Sequence, residues 1–104
     1  MAVVWQMAGK FREGQLDGVR NEFLRLSGLF ESTPGFLRAQ VLVNEKGRQL
    51  QILSYWGTYE QSVAFFKGPG LEVMKPFTPY VEEMGTVICS ALAAEYNKRT
   101  PHAA

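Results

Sequence analysis

Between Pro34 and Gly70 the spacing of hydrophobic and polar positions switches from strand-like to helix-like, and the rest of the chain is read outward from there. Residues 36–44 alternate so that Leu37, Ala39, Val41 and Val43 share one side of a strand. After the turn Asn44-Glu45-Lys46-Gly47, Leu50, Ile52, Ser54 and Trp56 share one side of a second strand. With a four-residue loop, Val41 is expected opposite Leu50, Ala39 opposite Ile52 and Leu37 opposite Ser54. Thr58-x-x-Gln61 then has the form of a capping box and predicts a helix starting at Thr58. That helix presents Tyr59, Val63 and Phe66 on one side, with Ala64 and Phe65 close by, and stops at Gly68-Pro69-Gly70.

Residues 2–8 are apolar and β-prone and predict a short, largely buried first strand ending at Gly9. From about Gln15 to Glu31, Leu16, Val19, Phe23, Leu26 and Phe30 recur at intervals of three and four, which builds one apolar stripe on a helix. Gly18 and Gly28 weaken that helix by roughly 1 kcal/mol each, a cost its packing has to offset. Residues 71–80 hold one helical turn before Pro76 and Pro79 stop it. Residues 84–94 read as a last strand, with a helix as the competing reading, and Glu95-Tyr96-Asn97 continues it in extended form. The order is strand, helix, strand, strand, helix, strand: an α+β, ferredoxin-like arrangement in which one antiparallel sheet carries both helices on one face. Right-handed crossovers set strands 1 and 3 side by side in the middle. Residues 1–97 are expected to form the domain and residues 98–104 a polar tail.

The second face of the hairpin pairs Leu42 with Gln49, Gln40 with Gln51, Arg38 with Leu53 and Phe36 with Tyr55, a mixture of polar and aromatic groups. A second copy of the sheet would cover it, so a homodimer is expected, with an ordinary solvated face as the alternative. At 104 residues the chain has room for one core, and association would help it.

Charge changes the picture mainly by exclusion. The formal net charge is +1 and the basic residues are scattered, so no phosphate-tracking surface for nucleic acid is expected. The N-terminal apolar run is too short for a membrane span and lacks a basic region before it, which makes a cytoplasmic protein the default expectation. The single cysteine, Cys89, lies in an apolar run without a neighbouring base and reads as a packed residue rather than a nucleophile. There is no close Cys/His set for zinc, no glycine-rich phosphate loop after a strand and no G-x-S-x-G elbow. Glu82-Glu83 would point apart in an extended chain and reads as a solvated pair.

Pro34-Gly35-Phe36, the short hairpin, and Tyr55-Trp56-Gly57-Thr58-Tyr59-Glu60 opening a helix resemble the antibiotic biosynthesis monooxygenase family of dimeric α+β barrel proteins, over nearly the whole chain. The resemblance implies two ferredoxin-like subunits with their sheets face to face and a pocket in each between sheet and helices. Trp56, Ile52, Ser54 and Ala39 would line that pocket with Phe65 or Phe66, and Met74 would stand near its mouth. The alternative for these residues is that they simply form the core. Members that oxidise polycyclic phenols without a cofactor resemble this chain in the tryptophan but carry an asparagine and a tyrosine where it has Ile52 and Ser62. Gln6, Ser54, Tyr55 or Tyr59 are then candidates for the missing polar group. Members that degrade haem carry asparagine, tryptophan and histidine at the positions of Met7, Phe65 and Lys75, and the single histidine, His102, is in the tail. The resemblance thus implies a small oxygenase acting on a phenol- or hydroquinone-type aromatic molecule with no metal or organic cofactor. A binding or stress-associated dimer that kept the pocket without the chemistry is the second reading.

Overall fold

A computed structural model describes residues 1–96. Asn97, the tail over 98–104 and His102 lie outside the described residues. The elements are β1 (Val3–Phe11), α1 (Leu16–Glu31), β2 (Phe36–Asn44), β3 (Gln49–Trp56), α2 (Tyr59–Lys67), a 3-10 segment (Lys75–Tyr80) and β4 (Val81–Ala91). All sheet pairings are antiparallel, in the spatial order β2-β3-β1-β4, so strands 1 and 3 do lie in the middle. The architecture is the ferredoxin-like α+β fold expected, with the helices on one face of the sheet. Among the described residues no helix is long and apolar enough to cross a membrane.

The core sits where β1 and β3 meet the helices. Val3, Met7 and Phe11 from β1 and Leu50, Ile52, Ser54 and Trp56 from β3 are buried there, as strand alternation requires. From α1 the stripe delivers Val19, Leu26 and Phe30 to full burial, with Leu16 and Phe23 packed at its margin. Gly18 has a packing reason: a Cβ there would lie 2.3 Å from Tyr80 Cδ1, so the missing side chain lets the tyrosine ring rest on the helix. At Gly28 the space is open.

Several boundaries and one register differ from expectation, each for a local reason. β1 continues through Gly9 to Phe11, because the glycine makes room for β4: a Cβ on Gly9 would stand 2.5 Å from the Glu83 carbonyl oxygen, beside a shift in the β1–β4 register. β4 begins at Val81, three residues early, and ends at Ala91, so Glu95 and Tyr96 are not strand. Pro76 and Pro79 lie inside the 3-10 segment instead of ending a turn: Pro76 is its second residue, where no internal donor is needed, and a segment this short has few bonds for Pro79 to break. In α2 the buried residues are Ser62 and Phe65, with Phe66 and Val63 half-buried and Tyr59 exposed, so the inward face is rotated from the one expected. Its N-cap is as predicted: the Thr58 hydroxyl accepts from the Gln61 N–H at 3.1 Å.

The hairpin register is offset by two residues. Val43 faces Leu50, Val41 faces Ile52 and Ala39 faces Ser54, because Asn44 still pairs with Gln49 and the loop is 45–48. A shift of two preserves every face, with one exception at Leu37. There β2 carries a bulge, Phe36 pairing with Trp56 and Arg38 with Tyr55. Phe36 therefore turns to the helix side and stacks on Phe30 at 4.6 Å between ring centres, while Leu37, expected in the core, is 57% exposed. The outer sheet face is consequently Arg38, Gln40, Leu53, Tyr55 and their neighbours, without Phe36. On it the Arg38 guanidinium lies 4.2 Å from the centre of the Tyr55 ring and pairs with Glu95, while the Leu92 N–H donates to the Ala2 carbonyl at 2.8 Å. The segment after β4 thus runs back toward the opposite edge of the sheet.

Candidate functional site

An apolar cavity of about 300 Å³ opens between the sheet and the helices. β1 contributes Trp5 and Met7, β3 contributes Ile52 and Ser54, and α1 closes it with Leu26 and Phe30. Phe66 from α2, then Gly70, Leu71, Val73 and Met74 from the segment after it, form the remaining cover, with Val87 from the β4 edge. Gly70 is needed as glycine: a Cβ there would stand 2.2 Å from Phe65 Cε2. Gln6 also borders the cavity, yet it pairs with Leu53 and Ile88, which puts its side chain by alternation on the outer face of the sheet.

Of the residues singled out from sequence, Ile52, Ser54, Phe66 and Met74 come together on this wall. Trp56 and Phe65 do not line it. Trp56 is wholly buried, ringed by Phe30, Phe36, Phe65 and Phe66 at 5.2 to 5.9 Å between centres, and Phe65 is part of the same aromatic cluster. Ala39 packs from β2 against the core margin and is also absent from the wall. The tryptophan on the wall, expected to be Trp56, is Trp5. The indole of Trp5 lies 5.2 Å from Phe66 and stacks on Tyr59 at 6.3 Å. Period-two alternation from Val3 puts Trp5 and Met7 on the helix side, and the expected placing of β1 beside β3 would have brought them to this wall; what the sequence does not show is that the aromatic rings packed round Trp56 leave the wall to Trp5. The parts that Leu71, Val73 and Val87 play had no local signal at all.

Both indole N–H groups are satisfied inside the chain. Trp5 Nε1 donates to Ser62 Oγ at 2.7 Å, and Ser62 Oγ in turn donates to the Tyr59 carbonyl at 2.6 Å. Ser62 is fully buried and both its roles are filled, so it stands behind the wall. Trp56 Nε1 donates to Ser54 Oγ at 2.9 Å. Ser54 is 4% exposed and lines the cavity, and among the described residues no acceptor takes its own hydroxyl hydrogen. Tyr55, a further candidate polar group, donates to Gln40 Oε1 at 3.2 Å on the outer face, away from the cavity.

The electrostatics of the site are set by what lines it: no Asp, Glu, Lys, Arg or His side chain is among the described lining residues. Partial burial pushes the Cys89 thiol up, which is the reverse of an activated nucleophile, and Cys89 is not on the wall. Among the described residues no group of His, Cys, Asp and Glu could hold a metal ion. Such a cavity can exclude water from a flat apolar molecule and offer it one hydrogen bond.

No family model matches the chain, and no curated protein matches it in sequence. Solved structures do match in fold. SnoaB from Streptomyces nogalater, a cofactor-independent oxygenase, is 17% identical over 92% of this chain and 95% of its own, with a TM-score of 0.69. MhuD from Mycobacterium tuberculosis, a heme-degrader with two hemes bound in its active site, is 20% identical over 91% of this chain and 99% of its own, with a TM-score of 0.74. A suggested antibiotic biosynthesis monooxygenase from Chloroflexus aurantiacus is 15% identical over 93% and 98%, with a TM-score of 0.72. This chain therefore has the fold of the antibiotic biosynthesis monooxygenase proteins.

Proposed function

We propose that this chain, built on the fold of the antibiotic biosynthesis monooxygenase proteins, binds a small flat aromatic molecule of the phenol or hydroquinone type and oxidises it with molecular oxygen, as a homodimer. The observation that carries the reading is the cavity of about 300 Å³ walled by Trp5, Phe30, Phe66 and aliphatic side chains, at the lower end of the ~300–1,000 Å³ usual for small-molecule sites. In the balanced reaction a phenol with a free para position loses its O–H and para C–H hydrogens. The ring carbon takes one atom of O₂, the other leaves as water, and the substrate supplies all four electrons as it becomes a quinone. The protein's share is burial, orientation and exclusion of water.

One specific observation favours a second reading. Without a titratable side chain on the described wall, removal of the phenol proton falls to solvent. A dimer that holds its ligand without turning it over needs no such group. Oxygen-electrode measurements with 1-naphthol and substituted hydroquinones separate the two: uptake above the spontaneous rate, lost when the cavity is filled by Val73→Trp, supports the oxygenase. Binding without uptake supports the carrier, and neither binding nor uptake refutes both.

The residues present do not fit an iron porphyrin. The positions that carry tryptophan and histidine in haem degraders are here Phe65, 1% exposed in the aromatic cluster, and Lys75, paired with Glu72 at 3.0 Å on the surface. The described wall has no imidazole, thiolate or phenolate, its sulfur coming from the thioethers of Met7 and Met74.

A further inference from the structure

The Ser54 hydroxyl hydrogen, which no acceptor takes among the described residues, is buried in a wall whose other polar side chains are turned outward, as Gln6 is, or already paired, as Trp5 is. We propose that Ser54 is the hydrogen-bond donor that orients the ligand, that Trp56 is its positioning residue, and that the site therefore selects neutral aromatic molecules bearing a carbonyl or ether-like oxygen over anionic ones. The inference rests on the reading of the cavity as a small-molecule site.

Three observations converge. Trp56 Nε1 donates to Ser54 Oγ at 2.9 Å, which occupies one lone pair of the hydroxyl and polarises its O–H outward. The alternation that sets Ile52, Ser54 and Trp56 on one side of β3 aims Ser54 toward the helices, and among the described side chains of the wall no other donor competes: the Trp5 N–H is spent on Ser62, and Gln6 lies on the outer face by alternation. A hydroxyl that donates satisfies an acceptor, and a carbonyl oxygen meets that demand without bringing a charge into an apolar cavity. A carboxylate would also accept, but it would enter a wall with no described cationic side chain to balance it. The recognised class is thus a fused aromatic ketone, quinone or neutral phenol oxygen.

The test uses three probes of one shape in isothermal titration calorimetry: 1-acetonaphthone, which has a neutral acceptor; 1-isopropenylnaphthalene, its carbon isostere, which has none; and 1-naphthoate, which is anionic. The ketone binds about fivefold to tenfold more tightly than its carbon isostere, the size of one net hydrogen bond, and naphthoate binds more weakly than either. In Ser54→Ala the ketone advantage falls to about one while the affinity for the carbon isostere is kept. In Trp56→Phe the advantage shrinks but survives, since the donor remains and only its hold is lost. Infrared spectra of the ketone bound to the unaltered protein give an independent reading, the carbonyl stretch moving to lower wavenumber when it accepts a hydrogen bond. An unshifted stretch, an unchanged ketone advantage in Ser54→Ala, or preferred binding of naphthoate overturns the inference while leaving the cavity as a binding site. If none of the three probes binds the unaltered protein, the site reading itself fails, and this inference with it.

Discussion

Replacing Trp56 by phenylalanine tests whether that ring belongs to the packed centre or to the wall of the site. The indole is fully buried and has four aromatic neighbours. Phenylalanine keeps an aromatic fill but leaves part of the space empty, which costs about 1 kcal/mol in a core that relaxes only partly. Loss of the Nε1–H to Ser54 removes one buried hydrogen bond, worth about another 1 kcal/mol. The sum, about 2 kcal/mol, lowers the unfolding midpoint of a domain of this size by roughly 10 °C. Circular dichroism melts at fixed protein concentration measure it, because association would otherwise shift the midpoint. Naphthalene, which makes no hydrogen bond, should bind with nearly unchanged affinity. An unchanged midpoint combined with lost naphthalene binding would refute the reasoning, since it is the signature of a wall residue and not of a core one.

Tryptophan fluorescence should report ligand through Trp5, so quenching by 1-naphthol persists in Trp56→Phe and disappears in Trp5→Phe; the reverse pattern exchanges their roles. Gly9→Ala drives a Cβ into the Glu83 carbonyl oxygen and should cost about 1–3 kcal/mol in urea unfolding, and a neutral result would mean that the β1–β4 irregularity yields freely. Light scattering should give about twice the chain mass, with Leu53→Asp splitting the dimer, because a charge buried without a partner costs several kcal/mol; a monomeric parent protein defeats the face-to-face arrangement. Haemin titration should yield no Soret band of a nitrogen-ligated iron, and a stoichiometric complex with such a band overturns the fit argument.

The features legible in the sequence are those with a local cause. The stripe of Val19, Leu26 and Phe30, the Thr58 cap and the inward side of β3 each rest on periodicity or a single turn, and each appears where periodicity put it. The exchange of Phe36 and Leu37 did not show, because an alternating string carries no mark of an extra residue until the partner strand fixes the count. The same limit separates Trp56 from Trp5. Both lie on inward strand faces, and which becomes wall and which becomes filling depends on how closely Phe30, Phe36 and Phe65 gather around Trp56. Ser54 was legible as an inward polar residue, whereas its pairing with Trp56 follows from the two being neighbours on one face of β3.

The return of the chain after β4 toward Arg38 has a further consequence. The Arg38–Glu95 pair links the segment following one edge strand to the strand at the other edge, and so acts as a latch drawn across that end of the sheet. Its side chains are 44% and 38% exposed, so the latch holds with no more than about 1 kcal/mol and loosens further as salt screens it. Anything that settles on the outer face displaces it almost without resistance, and the freed arginine, already lying over Tyr55, becomes available to the newcomer. Association through this face would then tolerate or even gain from added salt, the opposite of an encounter steered by charge.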